Sequence, residues 1–227
     1  MKRAIFVSLL LAIVGKFAWP IIFAVPTADE FAVKELQGQI RAGFVEVSPD
    51  WDAFLKEWGD SSSKARRRAA ARAIVDYASF AELATVYRVR AQLFVYVAKD
   101  AKLNTICDGT VSDRAVMSIA DEVAPVIPIA GRALGRMYVG DAAWKPPVDL
   151  SRDGPWLEFA IYLNRIGKGD ILDGLRKMGA GKGVSRQQQC ETLGALYSLA
   201  GNRPADRMST TSIMDFVRSI ESYVLKD

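Results

Sequence analysis

The stretch SFAELATVYRVRAQLFVYV, residues 79–97, decides between an all-α fold and an α+β fold. Val89, Ala91, Leu93, Val95 and Val97 alternate with Arg88, Arg90, Gln92, Phe94 and Tyr96, which is the period of two of a strand. A helix fits the same residues, because Leu83, Tyr87, Arg90 and Phe94 recur at three- and four-residue spacing and share one face. Ser79 and Glu82 have the spacing of a capping box, which starts a helix near Phe80. One strand alone cannot satisfy its backbone, and no stretch elsewhere reads as its partner. The segment therefore reads as helix, and α+β is the weaker alternative.

The sequence on both sides carries helix punctuation. Ser48-Pro49-Asp50 gives an N-cap, a proline at the first helical position and a first-turn acid. Trp51, Phe54, Leu55 and Trp58 follow on one face, and Gly59 closes the segment. Three serines, Ser61 to Ser63, separate it from a basic, alanine-rich run over Lys64–Ala73. Further helices are expected at about 112–123, 129–138, 155–166, 170–178, 186–200 and 212–225. Ser185 with Gln188 and Ser212 with Asp215 repeat the capping-box spacing. The last helix places Ile213, Phe216, Val217, Ile220 and Val224 on one stripe. Gly140 to Pro155 is the longest irregular stretch, a hinge or surface loop inside one domain. The expectation is one all-α domain of about eight helices over 29–227, preceded by a leader over 1–28.

That leader starts Met-Lys-Arg and continues as the apolar run AIFVSLLLAIVG, Ala4 to Gly15, the length of a signal-peptide core. After Lys16 a second apolar piece runs from Phe17 to Val25. Cleavage near Ala24 and retention as a membrane anchor both remain open, since Ala4–Val25 is long enough to span a bilayer. The formal charge of +4 belongs to this leader: positions 29–227 hold 27 basic and 26 acidic residues. Nucleic acid is accordingly not favoured as a partner.

The chain has no histidine, which removes Ser-His-Asp and Cys-His nucleophile systems and every imidazole metal site. Its two cysteines cannot form a four-thiolate zinc or iron–sulfur site within one chain. In an exported domain Cys107 and Cys190 are expected to pair as a disulfide, in preference to two separately buried thiols. The stretch GLRKMGAGKGVS, Gly174 to Ser185, has Arg176 and Gly183 where a phosphate loop needs glycine and a hydroxyl, and it reads as a linker. Ser61 and Lys64 match S-x-x-K, but the companion elements of that enzyme class are missing. Arg66, Arg67, Arg68 and Arg72 form a candidate patch for an anionic partner, with a solvated helix face as the favoured reading. Asp121, Glu122 and Glu158 lie in expected helices, yet nothing in the sequence pairs two of them as a catalytic acid and base.

No catalytic residue, metal site or cofactor is assigned. The expected function is that of an exported or membrane-anchored helical protein of the bacterial envelope, in the periplasm or on the periplasmic face of the inner membrane, that binds another macromolecule, with a protein as the expected partner. An accessory part of a secretion or conjugation apparatus and a toxin-neutralising protein are two settings that fit. A cell-wall enzyme using carboxylates and a membrane-tethered assembly factor are the rivals.

Overall fold

A computed structural model of the chain describes residues 30–59, 63–108, 123–142, 144–146, 148–150, 152–180 and 183–224. The leader and most of the helix expected at 112–123 lie outside the described residues. Among the described residues there are nine α-helices and no strand, so the domain is all-α. They are α1 (Glu30–Val45), α2 (Trp51–Gly59), α3 (Ser63–Tyr77), α4 (Phe80–Lys99), α5 (Ile127–Val139), α6 (Asp153–Arg165), α7 (Gly169–Gly179), α8 (Arg186–Asn202) and α9 (Ile213–Val224). Two short 3-10 turns, Asn104–Asp108 and Ala124–Val126, lie between α4 and α5. No helix among the described residues is long and apolar enough to cross a membrane.

The ambiguous stretch is α4. Arg88, Gln92, Val95, Tyr96 and Lys99 are exposed while Val89, Arg90, Leu93, Phe94, Val97 and Ala98 are buried, a spacing of three and four that no strand produces. Its start is the capping box read from the sequence: Ser79 Oγ accepts from the Glu82 N–H, and Glu82 accepts from the Ser79 N–H at 2.8 Å. Ser185 and Gln188 repeat this reciprocal pair at the start of α8. At the start of α9, Ser212 Oγ accepts from the Asp215 N–H and donates to its carboxylate.

Helices α4 and α8 form the centre. Gly194 of α8 lies against Phe94, Gly201 lies against Arg88, and Cys190 lies near Asn104, so the two run antiparallel. Phe94 stacks on Tyr197 with ring centroids 5.7 Å apart. Around this pair, α1 crosses α5 closely enough that a Cβ on Gly43 would fall on the Pro128 carbonyl and one on Gly131 on the Ile40 carbonyl. Only glycine permits that approach. Helix α1 has no expected counterpart in the sequence pattern; Gly38 and Gly43 dilute its helical signal, and packing on α5 supplies what propensity does not. Nearly all the buried apolar side chains described, from Phe44 to Ile220, belong to one continuous core.

Candidate functional site

Three places in the fold gather the side chains that could act. The first is in the core, where α9 enters between α3, α4 and α8. Ile213, Phe216, Val217 and Ile220 are buried as the stripe requires, but Arg218, Ser219, Glu221 and Ser222 are buried as well. Glu221 receives three donors: the Arg90 guanidinium and Tyr197 Oη (2.9 Å) on one oxygen, and Tyr87 Oη (2.8 Å) on the other. The Arg90 carbon lies 5.6 Å from the Tyr87 ring centroid and 5.2 Å from that of Tyr197, both within cation–π range. Burial, with the negative Glu221 beside them, pushes both tyrosine hydroxyls well above their usual pKa. Burial opposes the charge on Arg90, but the Glu221 carboxylate and the two tyrosine oxygens together outweigh it and raise the guanidinium pKa. The cluster holds one full positive and one full negative charge away from water. Arg90 Nε is buried with no hydrogen-bond partner, so the pairing is not complete.

One turn away on α9, Arg218 donates to the carbonyls of Val75 and Ala78, at the C-terminal end of α3, where a cation is favourable. Trp144 covers its guanidinium at 4.2 Å from carbon to ring centroid, and the Trp144 backbone N–H donates to the Asp76 carbonyl. Arg218 thus joins the last helix, the end of α3 and the 140–152 connection. These contacts are fixed within the fold, and they present no reacting atom to a substrate.

The second place is a network at the rim. Glu82, the capping acid of α4, accepts from Arg132 Nε at 2.6 Å and from Arg136 Nη1 at 2.7 Å, both on α5. Arg132 also reaches Glu46 at 3.2 Å, and Arg136 donates to the Tyr77 carbonyl. Burial raises the pKa of Glu82, but the hydrogen bonds from Arg136, Arg132 and Ser79 outweigh that and hold it at about 2. Such a group is always ionised near neutrality and cannot serve as a proton donor there.

The third place is the surface of α6. Its inner side is anchored by Phe159, Tyr162 and Leu163, with Phe159 stacked on Phe216 at 4.7 Å. Tyr162 Oη donates to Asp206, Ser209 Oγ donates to Glu158 and Arg165 donates to the Arg207 carbonyl, tying α6 to the α8–α9 connection. Its outer side carries Leu157 at 62 % exposure and Ile161 at 59 %, the two most exposed large apolar residues among those described. An apolar groove of about 160 Å³ opens between α6 and α7, lined by Leu157 itself with Trp156, Ala160, Leu172, Leu175 and Arg176.

The residues singled out in the sequence fall elsewhere. Cys107, in the first 3-10 turn, and Cys190, in α8, are fully buried with their sulfurs at bonding distance and Cα atoms 5.3 Å apart, within the disulfide range. Arg66, Arg67, Arg68 and Arg72 all belong to α3. Arg72 is exposed and pairs with Asp76 at 3.3 Å; the other three side chains lie outside the described residues. Asp121 and Glu122 are also outside them, while Glu158 accepts the Ser209 hydroxyl. Among the described residues no group of three or more Cys, Asp or Glu could hold a metal ion.

Among the described residues, the fold and its surface define an all-α domain with an internal ion cluster and an open apolar face on α6. No protein-family model, curated protein or solved structure matches this chain.

Proposed function

We propose that this chain is an exported or membrane-anchored helical protein of the bacterial envelope that acts by binding another protein, and that the outer face of α6 is where it binds. The observation that carries the reading is the pair Leu157 and Ile161, held outward beside an apolar groove by a helix whose opposite side is fixed in the core. Isolated exposed apolar residues are ordinary, but two at i, i+4 beside a groove form a contiguous apolar surface that a partner can cover. The basic, apolar leader supports export, and the Cys107–Cys190 pair is the kind of crosslink that an oxidising compartment maintains. A role as an accessory component of a secretion or conjugation apparatus, or in toxin neutralisation, fits such a domain. The carboxylate-enzyme reading is weaker, because Glu221 and Glu82 are committed to arginines.

The experiment is a photo-crosslinking residue placed at Leu157 or at Ile161 in cells, with the exposed Lys102 as control position. The expected result is a protein adduct from both α6 positions and none from Lys102. Absence of any adduct at both α6 positions in correctly exported protein overturns the reading.

A further inference from the structure

We propose that the partner of the α6 face is a second copy of this chain, docked antiparallel along the same helix; this rests on the reading of that face as a protein-binding surface. The argument comes from one row of residues. Asp153, Leu157, Ile161 and Arg165 follow at four-residue intervals, so they form a single ridge of α6, and all four are exposed. The row reads acid, apolar, apolar, base. A two-fold axis passing between Leu157 and Ile161 sets Leu157 of each copy against Ile161 of the other. The same operation brings Asp153 of each copy to Arg165 of the other, about 18 Å along the helix from its own Arg165.

The row is thus complementary to itself in the antiparallel sense and not in the parallel one, where Asp153 would meet Asp153 and Arg165 would meet Arg165. Asp153 sits in the first turn of α6 and Arg165 in the last, so each charge also suits its own helix dipole. Arg165 gives one hydrogen bond to the Arg207 carbonyl and lies 5.5 Å from the Tyr162 ring centroid. That fixes the guanidinium at the end of the row while leaving further N–H donors for a carboxylate. The groove that Leu157 lines together with Trp156, Ala160, Leu172 and Leu175 adjoins the ridge and offers the second copy's Leu157 or Ile161 a place to enter. One helix ridge and its adjoining groove from each copy make a contact of the small, weakly associating kind. The dimer is therefore a reversible one.

Sedimentation of the purified domain, from low concentration up to roughly 100 µM, tests it. The expected result is a concentration-dependent monomer–dimer equilibrium, abolished by Leu157→Asp, a substitution at an exposed site that leaves the helical circular dichroism unchanged. Asp153→Arg and Arg165→Asp each weaken the dimer by roughly tenfold. Mixed one to one, these two variants recover dimer formation as a heterodimer. In an antiparallel pair the introduced arginine then meets the introduced aspartate at one end, and the native Asp153 meets the native Arg165 at the other. A monomer at every concentration, or no recovery on mixing, overturns the second copy as partner. If the photo-crosslinks at Leu157 then persist with a different protein, the binding face stands and only its occupant changes.

Discussion

Two arginine–glutamate groupings, one in the core and one at the rim, use the same chemistry under opposite conditions. Arg90 and Glu221 are each only 4 % exposed, and the carboxylate is completed by two tyrosine hydroxyls. Glu82, at 13 %, meets Arg132 and Arg136, each about a quarter exposed, and it doubles as the cap of α4. In the core, desolvation is the dominant cost, and the pair repays it only while both partners are present. At the rim, water still solvates the arginines, so the network stabilises the charged state of Glu82 without a comparable penalty. The difference teaches that the core pair specifies how α9 docks, whereas the rim network adds stability that depends on pH. Neither property follows from counting ion pairs.

Breaking the core pair gives the largest effect. Arg90→Met leaves Glu221 buried with two neutral donors and no counter-charge, and it should cost about 3–5 kcal/mol in chemical denaturation. Replacing the whole group, with Glu221→Leu, Tyr87→Phe and Tyr197→Phe added to Arg90→Met, should recover most of that loss, because no polar atom of the cluster is then stranded. If the fourfold variant is as unstable as Arg90→Met alone, the lost stability belongs to packing of the side chains and not to an unpaired charge.

The rim network predicts a smaller loss with a defined pH range. Glu82 has a folded pKa of about 2 against an ordinary value of 4.5. A carboxylate depressed in this way contributes stability that is fully present above its unfolded pKa. The contribution is lost as pH falls from about 4.5 toward 2. Glu82→Gln keeps an acceptor for the Ser79 N–H, so the capping box survives while the charge is removed. The variant should be about 2 kcal/mol less stable near neutral pH, below the full linkage value because the arginines are partly in water. The gap between the two proteins should close toward pH 2. A gap that is constant with pH would assign the effect to geometry and remove the electrostatic half of the comparison.

What the sequence reveals of these groups depends on how local they are. Ser79 with Glu82, Ser185 with Gln188 and Ser212 with Asp215 are legible because a cap is complete within four residues. Cys107 and Cys190 are legible because they are the sole cysteines, so an intramolecular bridge has one connectivity. The Glu221 cluster is not legible. An amphipathic stripe such as Ile213–Val217–Ile220 identifies the apolar side of α9, but it cannot say that a neighbouring arginine and two tyrosines will cover the polar side too. Those partners lie 24 to 134 residues away in sequence. The open face of α6 is hidden for the opposite reason. Trp156, Leu157, Phe159, Ala160, Ile161, Tyr162 and Leu163 make the helix apolar nearly all round, so pattern alone cannot tell the side facing the core from the side left to a partner. Long-range contacts, such as the packing of Phe159 on Phe216 and the bond from Tyr162 to Asp206, make that choice.

A third pair extends the comparison to the surface and gives the smallest effect. Arg72 is 57 % exposed and meets Asp76, whose side chain is 13 % exposed, one turn later on α3, at 3.3 Å. Here the arginine stays largely in water, so the Coulombic gain is screened, and holding a long arginine in one rotamer opposes the pairing. Asp76 has further interactions, so deleting it alone mixes several contributions. A double-mutant cycle of Arg72→Ala and Asp76→Ala isolates the pair, and its coupling should be about 0.3–0.5 kcal/mol. That coupling should fall when salt is raised to about 1 M, where the screening length shrinks to about 3 Å. A coupling above roughly 1 kcal/mol, or one indifferent to salt, would show that exposure of the arginine does not grade the three groupings. It would also bear on the arginine cluster of α3: a strongly engaged Arg72 is committed within its own helix, whereas a weakly paired one stays free to meet an anionic partner.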